Sequence, residues 1–308
     1  MEEIRVFAPA SVGNIGPGFD TLGMAVRKIG DTIRAARNAK RGVRILEISG
    51  DGGRLPLAAG KNTAGIAARK VLRRLGIREG IDLRIQKNIP GNGLGSSAAS
   101  AVAGAFAANA LFGKRLGLDD LLEIATQAES FVSGGTFMDN IGASLYGGII
   151  LARPAEKKVV PVGVLKGLTV ILATPDFPLM TKKARKILPS KVEMGRWIQN
   201  MSNSCAMVLG VCRNDPLLFG RAIADEVIEP VRARLIPGFY DVNRAALSKG
   251  ALGCSISGAG STLFAVTDRP ELSATIGQAM ERAFRRKGFR SVVTISDIDG
   301  QGAREIHS

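Results

Sequence analysis

Residues 90–100 of the chain read Pro90-Gly91-Asn92-Gly93-Leu94-Gly95-Ser96-Ser97-Ala98-Ala99-Ser100. The three glycines let the backbone turn tightly and approach a ligand without clashes from Cβ atoms. The alanine-rich segment 96–111 predicts a tightly packed helix, so the two serines stand where that helix begins. Free amide groups and the positive end of the helix dipole then face the loop. The stretch therefore predicts a phosphate-binding loop; the plainer alternative is a strand-to-helix turn with serine caps.

Two common nucleotide-binding loops have other patterns. No lysine follows the last glycine, which excludes a Walker A loop. The glycines are spaced Gly91-x-Gly93-x-Gly95 rather than G-x-G-x-x-G, which excludes the dinucleotide fingerprint. The signatures of protein kinases are absent as well. The sequence therefore requires a phosphate loop of another kind.

The length of 308 residues exceeds what one compact core usually holds. A composition shift near residues 153–156 predicts an N-terminal lobe over residues 1–155, which carries the phosphate loop, and a C-terminal lobe over 156–308. The N-terminus does not resemble a signal peptide, and the longest apolar run, residues 141–152, is too short to span a bilayer. We therefore expect a cytoplasmic protein that does not associate with membranes.

Hydrophobic periodicity predicts mixed secondary structure in both halves, and therefore an α+β fold. Strands are predicted at residues 4–7, 32–35, 43–48, 81–85, 149–151, 168–174, 253–257, 263–266 and 291–295. Helices are predicted at residues 62–75, 96–111, 118–131, 182–187, 195–211, 216–227, 240–249 and 272–287.

Cysteine and histidine usage limits the chemistry. The three cysteines, Cys205, Cys212 and Cys254, lack the spacing of metal ligands, and their odd number argues against a disulfide framework. The only histidine, His307, is the penultimate residue, where a frayed terminus explains it better than catalysis. Acid–base chemistry by histidine is therefore not expected.

The net charge of +15 raises the question of an anionic partner. The basic residues stand in separate groups at residues 34–41, 69–74 and 285–290, without interleaved aromatic side chains. This scatter favours solvated helix faces first, attraction of anionic substrates second and a nucleic-acid surface last. Nucleic acid is therefore not the expected partner.

Two further stretches join the glycine loop in pointing to one family. They are Pro9-Ala10-Ser11-Val12-Gly13-Asn14-Ile15-Gly16-Pro17-Gly18-Phe19-Asp20 and Ser255-Ile256-Ser257-Gly258-Ala259-Gly260-Ser261-Thr262. In this order, the three resemble the motifs of the galactokinase–homoserine kinase–mevalonate kinase–phosphomevalonate kinase superfamily. Residues 181–189 and 225–238 resemble the homoserine kinases within it. The resemblance, which runs from about residue 4 to about residue 305, implies an N-terminal lobe like ribosomal protein S5 domain 2 and a ferredoxin-like C-terminal lobe.

The resemblance also implies a reaction and its cofactors. It implies ATP-dependent phosphorylation of the side-chain hydroxyl of L-homoserine in threonine biosynthesis, with Mg²⁺. The residues that match the family's ATP loop are Pro90, Gly91, Gly93, Leu94, Gly95, Ser96, Ser97 and Ala98. Glu129 matches the family's magnesium ligand, acting with Ser97 or Ser96; the plainer alternative for Glu129 is a carboxylate on a helix surface.

The remaining matches suit a substrate that carries a carboxylate, an ammonium and a hydroxyl group. Arg185 and Arg232 suit the carboxylate, because a guanidinium pairs with it in a planar fork. Asp20 suits the ammonium. The other candidate substrate residues are Asn14, Asn140 and Gly258. The candidate catalytic residues are Asn140, near the reacting hydroxyl, and Asp139, which is either a base or an orienting group; we favour orientation.

One departure from the family pattern leaves alternatives open. Homoserine kinases usually carry histidine two positions before the Asp139-Asn140 pair, whereas this chain has Phe137. A kinase of the same superfamily that acts on shikimate or mevalonate is therefore the nearest competitor. A nucleic-acid-binding protein on this fold is the second, motivated by the net charge. The sequence also leaves the oligomeric state open, with a homodimer as the state to test.

Overall fold

The computed structural model describes residues 3–133, 135 and 137–306, so the expectation for His307 lies outside it. The strands are β1 (Glu3–Gly13), β2 (Leu22–Asn38), β3 (Gly42–Ser49), β4 (Gly80–Gln86), β5 (Ile149–Arg153), β6 (Lys158–Gly163), β7 (Thr169–Pro175), β8 (Gly253–Ile256), β9 (Leu263–Thr267), β10 (Ser291–Asp297) and β11 (Arg304–Glu305). The helices are α1 (Thr63–Leu75), α2 (Ser96–Leu111), α3 (Leu118–Ser133), α4 (Met138–Tyr146), α5 (Thr181–Lys186), α6 (Met194–Arg213), α7 (Pro216–Arg221), α8 (Glu229–Arg232), α9 (Phe239–Ser248) and α10 (Ser273–Arg286).

The strands form two sheets. The first has the order β11-β1-β2-β4-β3, with β5 paired to β2 and β6 paired to β5. Its pairs are antiparallel except for β3 with β4. The second is antiparallel and has the order β10-β7-β9-β8, with α9 and α10 packed against it. The predicted two-lobed α+β fold is confirmed.

The chain leaves the first sheet later than residue 155. The short 3₁₀ turn Pro154–Glu156 joins β5 to β6, and these two strands pair with each other. β11 then returns to the first sheet, where Val6 pairs with Glu305. The first sheet therefore includes segments from the far side of the predicted boundary.

Helix α2 is the centre of the first lobe. It has the bounds that its alanine content predicted, and it packs against β1, β2, α1, α3 and α4. The packing against α1 is so close that a Cβ atom on Gly104 would lie 2.4 Å from the carbonyl oxygen of Ala64. Small side chains permit this close approach of the two helices.

The helix predicted at residues 216–227 ends at Arg221. The carboxylate of Asp225 accepts hydrogen bonds from the backbone amides of Val227 and Glu229, at 2.8 and 2.9 Å. A local side-chain partner of this kind competes with helix formation. The chain therefore turns here and enters α8. No helix in the described part of the chain is long and apolar enough to cross a membrane.

Candidate active site

The glycine loop joins β4 to α2 in a backbone conformation that favours glycine. Gly93 and Gly95 have φ angles of +88° and +63°. A Cβ atom on Gly95 would lie 2.2 Å from Ser11 Oγ, and one on Gly93 would lie 2.4 Å from the carbonyl oxygen of Ser257. The loop therefore has no room for side chains at these two positions.

The same loop holds the three sequence motifs together. The amide of Ser11 donates to the carbonyl of Leu94 at 3.1 Å, and Ser257 Oγ donates to the carbonyl of Gly93 at 2.6 Å. The amide of Gly258 donates to the carbonyl of Gly13 at 2.9 Å. Stretches that lie more than 240 residues apart in the sequence thus meet around one loop.

These motifs line one cavity of about 390 Å³. The predicted site residues in its wall are Asn14, Asp20, Gly91, Gly93, Gly95, Ser96, Ser97, Ala98, Glu129, Asp139, Asn140, Arg185, Arg232 and Gly258. Of the two remaining predicted residues, Leu94 is fully buried beneath the loop, and Pro90 is exposed at its start. Leu94 supports the loop through its carbonyl group instead.

The start of α2 carries an oxygen-rich pair. Ser97 Oγ donates a hydrogen bond to Glu129 Oε2 at 2.5 Å, and Glu129 is buried. Mg²⁺ prefers oxygen ligands and is commonly held by one or two carboxylates together with substrate phosphates. A single carboxylate and a hydroxyl beside a phosphate loop fit that ion. Among the described residues, no cluster of three acidic, histidine or cysteine side chains forms a metal cage.

A buried lysine in the cavity wall was not predicted from the sequence. Lys87 Nζ forms an ion pair with Asp31 and donates to Ser100 Oγ at 2.6 Å and to the carbonyl of Ser96 at 3.0 Å. Burial raises the pKa of Asp31, and the charge of Lys87 opposes that rise. The network ties the end of β4 to the first turns of α2. The sequence signal that could have identified Lys87 is an ionisable residue three positions before Pro90.

The Asp139–Asn140 pair lies in the first turn of α4. Asp139 Oδ2 accepts from the amide of Asn14 at 3.0 Å, and Asp139 Oδ1 accepts from Asn140 Nδ2 at 3.2 Å. Asn140 Oδ1 in turn accepts from Ser11 Oγ at 3.0 Å. Burial, together with the nearby charge of Asp20, raises the pKa of Asp139 to about 6. The two hydrogen bonds to Asp139 show that both of its carboxylate oxygens hold a neighbouring group, namely the amide of Asn14 and the side chain of Asn140.

Asn14 and Asp20 adopt left-handed backbone conformations, with φ angles of 55° and 56°. Asn14 Oδ1 accepts from the amide of Asp20 at 2.8 Å, and Asn14 Nδ2 donates to the carbonyl of Gly258 at 3.0 Å. Asn and Asp tolerate this conformation better than other non-glycine residues, and strained backbone recurs at binding sites. The turn thus aims two polar side chains into the cavity.

The two predicted arginines differ in their partners. Arg185 Nη2 lies 2.8 Å from each carboxylate oxygen of Asp20. Arg232 is 3% exposed, and its Nη1 donates to the carbonyl of Gly258 at 2.8 Å. Its Nε has no hydrogen-bond partner, and no carboxylate of the described residues lies within ion-pair distance. Burial lowers the pKa of Arg232. A buried cation without a counter-ion is costly, and this one lines the cavity.

Two aromatic rings hold the guanidinium groups in place. The Phe19 ring centroid lies 4.9 Å from Cζ of Arg232, and the Phe137 ring centroid lies 4.9 Å from Cζ of Arg185. Cation–π attraction operates at this distance. Phe137, where the family usually has histidine, therefore supports Arg185 instead of offering a polar group.

Comparison with known proteins agrees with this geometry. The models "GHMP kinases N terminal domain" and "GHMP kinases C terminal" match residues 62–148 and 207–286. Homoserine kinase of Arabidopsis thaliana is 42% identical over 315 residues, which cover 99% of this chain and 85% of that protein. Homoserine kinase of Chlorobaculum tepidum is 38% identical over 320 residues, which cover 99% of each chain.

Solved structures show the same relationship. The crystal structure of homoserine kinase from Cytophaga hutchinsonii superimposes with a TM-score of 0.95 at 42% identity, covering 99% of this chain and 98% of that one. Mevalonate kinase of L. major has a TM-score of 0.74 at 16% identity, covering 97% and 96%, and shares the fold alone. The family resemblance is thereby confirmed: the chain belongs to the GHMP kinases and, among them, to the homoserine kinase family.

Proposed function

We propose that this chain transfers the γ-phosphoryl group of ATP to the side-chain hydroxyl of L-homoserine, forming O-phospho-L-homoserine and ADP in threonine biosynthesis. The observation that supports this most is a single cavity that contains both the amide end of α2 and the buried, unpaired Arg232. The first group suits phosphates, and the second suits the carboxylate of an amino acid. The relatives from A. thaliana and C. hutchinsonii are named for this substrate.

In the phosphate-binding part of the cavity, the proposed contacts come from the amides of residues 93–97 and the Ser97–Glu129 pair. The amides and the dipole of α2 hold the phosphates of ATP. Ser97 and Glu129 hold Mg²⁺, which, when bound, offsets the charge of the phosphates. Lys87 keeps the first turn of α2 in place through the carbonyl of Ser96. Phosphoryl transfer depends mainly on such positioning and electrostatics.

The proposed amino-acid site uses four charged groups. Arg232 binds the substrate carboxylate, because it is the buried cation that lacks a counter-ion. Asp20 accepts the ammonium while Arg185 remains beside it. Asp139 orients Asn14 and Asn140, since both of its oxygens accept hydrogen bonds from those residues. Asn140 then lies at the reacting hydroxyl.

We also propose the cytoplasm as the compartment. The support is the state of the cysteines: Cys205, Cys212 and Cys254 are all free thiols, and Cys254 is buried. Reduced thiols of this kind are typical of proteins in reducing compartments.

A substrate panel tests the proposed reaction. We expect ADP release with L-homoserine, and none above background with shikimate or mevalonate. Neither of these two compounds carries an ammonium group that could engage Asp20. Chelation of Mg²⁺ by EDTA is expected to abolish the release, and added Mg²⁺ to restore it. The measurement is a coupled ADP-release assay.

Two results, one from that panel and one from an RNA-binding experiment, would redirect the proposal. Turnover of shikimate without turnover of homoserine would favour the nearest competitor, a related kinase. Salt-dependent retention of RNA together with absent kinase activity would favour a nucleic-acid-binding protein.

Replacing the unpaired arginine tests the substrate side alone. We expect Arg232→Ala to raise the KM for homoserine ten- to a hundredfold, because a charged hydrogen-bonded pair worth roughly 1.5–3 kcal/mol is lost. The KM for ATP should change little. The matched control is Arg234→Ala, since Arg234 is exposed two positions away. An unchanged KM for homoserine in Arg232→Ala would place the carboxylate elsewhere.

A further inference from the structure

The short helix α8 carries a glutamate that the proposed reaction does not use. Glu229 is its first residue and is partly buried. Its carboxyl group accepts a hydrogen bond from Ser255 Oγ in β8, and Ser255 is 2% exposed. Glutamate side chains are seldom withdrawn from water without a partner. The partner of this one joins α8 to the second sheet.

Glu229 and Arg232 reach the same segment of the chain from α8. They stand three positions apart, which places their side chains beside each other on the helix. Glu229 contacts Ser255, and Arg232 Nη1 donates to the carbonyl oxygen of Gly258 at 2.8 Å. Residues 255–258 lead from the end of β8 to the wall of the cavity. The helix is therefore attached to this segment at two points.

A helix as short as α8 depends on such attachments for its position. It has four residues, whereas isolated helices shorter than about 12 residues are already marginal in water. Asp225 accepts from the amides of Ile228 and Glu229 at 3.0 and 2.9 Å, which fixes where the helix begins. The contact of Glu229 with β8 adds the constraint that fixes the direction in which Arg232 points.

The segment that receives these contacts is itself firmly held. Ser257 Oγ donates to the carbonyl of Gly93 at 2.6 Å, and the amide of Gly258 donates to the carbonyl of Gly13 at 2.9 Å. β8 is also paired with β9 along its whole length. Glu229 therefore ties α8 to the same frame that positions the glycine loop.

From these contacts we propose that Glu229 is a positioning residue, which holds α8 against β8 so that the guanidinium of Arg232 faces the substrate carboxylate. The inference rests on the proposed function, in which Arg232 binds that carboxylate. The position must be accurate, because a guanidinium pairs with a carboxylate in a planar fork. Arg232 Nε has no hydrogen-bond partner, so the group relies on Nη1, on the Phe19 ring and on the placement of its helix.

Glu229 fills this role as a hydrogen-bonding group rather than as a charge. Burial raises the pKa of Glu229 to about 8, although the hydrogen bond from Ser255 opposes the rise. The charges of Asp225 and Glu226 in the preceding turn add to it. The carboxyl group is therefore mostly protonated at pH 7. A neutral side chain of the same shape that keeps an acceptor oxygen should replace it.

Substitutions of Glu229 assayed at pH 7 separate positioning from a general structural role. Glu229→Leu removes the acceptor at similar size and is expected to raise the KM for homoserine about tenfold, the lower end of the loss of a charged hydrogen bond. The KM for ATP and kcat at saturating homoserine should change little. Glu229→Gln should keep the wild-type KM values. A Gln variant as impaired as the Leu variant, or a Leu variant with the wild-type KM for homoserine, would overturn the proposal.

The matched control is Glu226→Leu. Glu226 is an exposed glutamate three positions before Glu229, and it contributes only backbone groups to the hydrogen bonds of this turn. All kinetic constants of this control should stay at their wild-type values. A rise in the KM for homoserine equal to that of Glu229→Leu would show that any lost acidic group here has the same effect, and the specific role of Glu229 would fall.

The partner on β8 provides a second test. Ser255→Ala removes the donor to Glu229 and should raise the KM for homoserine several-fold. Combined with Glu229→Leu it should add nothing, because the contact is already lost. Additive effects would show that the two side chains act independently, against the proposal. Should Glu229→Leu fail to fold, Ser255→Ala carries the kinetic comparison alone, since it deletes a single hydroxyl group.

Crystal structures of the variants test the placement of Arg232 without reference to any reaction. In Glu229→Leu or Ser255→Ala, Arg232 Nη1 is expected to leave the carbonyl oxygen of Gly258, and in Glu229→Gln to stay on it. An undisplaced Arg232 in both of the first two variants would overturn the proposal even in an active homoserine kinase. A wild-type chain that does not turn over homoserine would instead refute the proposed function, and the position of Arg232 would still decide the role of Glu229.

Discussion

Substituting Gly95 by alanine is expected to lower kcat/KM by at least about a hundredfold while the protein remains folded. The new Cβ atom would lie 2.2 Å from Ser11 Oγ and 2.9 Å from Asn140 Oδ1. Neither atom can retreat freely, because Ser11 Oγ donates to that same oxygen of Asn140. The loop must therefore move away from the reacting centre, and a displacement of about 1 Å can cost a hundredfold by itself.

A glycine elsewhere in the chain separates the steric clash from backbone strain. Gly76, the residue that ends α1, has φ 67° and ψ 22°, close to the φ 63° and ψ 27° of Gly95. A Cβ atom on Gly76 meets nothing within 4 Å. Gly76→Ala should therefore cost about 1 kcal/mol of stability and leave the kinetics unchanged. Steady-state kinetics and thermal melts of both variants provide the comparison, and near-normal activity of Gly95→Ala would contradict the account of the loop.

Asp139→Asn is expected to lower kcat by roughly a hundredfold, the second largest effect. One carboxylate oxygen accepts from the amide of Asn14, and the other accepts from Asn140 Nδ2. An asparagine at this position offers only one oxygen, so its amide nitrogen faces another donor. Asn140 then loses its orientation toward the substrate hydroxyl.

The wild-type enzyme should lose this orientation at low pH, because a protonated Asp139 can no longer accept both hydrogen bonds. Its kcat/KM should therefore fall as the pH drops below about 6, where Asp139 takes up a proton.

The same substitution should stabilise the fold at alkaline pH. The pKa of Asp139 is raised from 3.8 to about 6, so the ionised form is disfavoured in the native state. The stabilising contribution of this carboxyl is complete below about pH 3.8 and is lost as the pH rises through about 6. At pH 8, Asp139→Asn avoids a penalty of up to about 3 kcal/mol, at 1.36 kcal/mol per pKa unit.

Thermal melts of wild type and Asp139→Asn between pH 4 and pH 8 measure this difference. The variant should melt higher at pH 8, with the gap closing toward pH 4. If the melting temperature of the variant relative to that of the wild type were lower at pH 8 than at pH 4, the result would contradict the assignment of a buried carboxylate with a raised pKa.

The parts of the fold that the sequence predicted well are those specified by local physics. The alanine-rich composition predicted the bounds of α2, and the glycines before it predicted the tight loop. The bounds of α9 and α10 also lie within a residue of their predictions, because an amphipathic pattern and a nearby glycine mark helix ends directly.

The parts that were missed depend on partners distant in sequence. The helix predicted over 216–227 ends at Arg221, since the turn after it is held by Asp225 and, from another helix, by Asn200. Helix α4 had no pattern of its own, because both of its faces are buried. The ion pair of Lys87 with Asp31 joins residues 56 positions apart. Burial of Arg232 without a counter-ion also follows only from the tertiary fold.

The central claim is that the amides of residues 93–97 bind the phosphates of ATP beside a pocket for a zwitterion. A crystal structure with a non-hydrolysable ATP analogue, Mg²⁺ and L-homoserine tests it most directly. We expect phosphate oxygens against these amides and the substrate carboxylate on Arg232. A triphosphate bound elsewhere, with the loop empty, would contradict it.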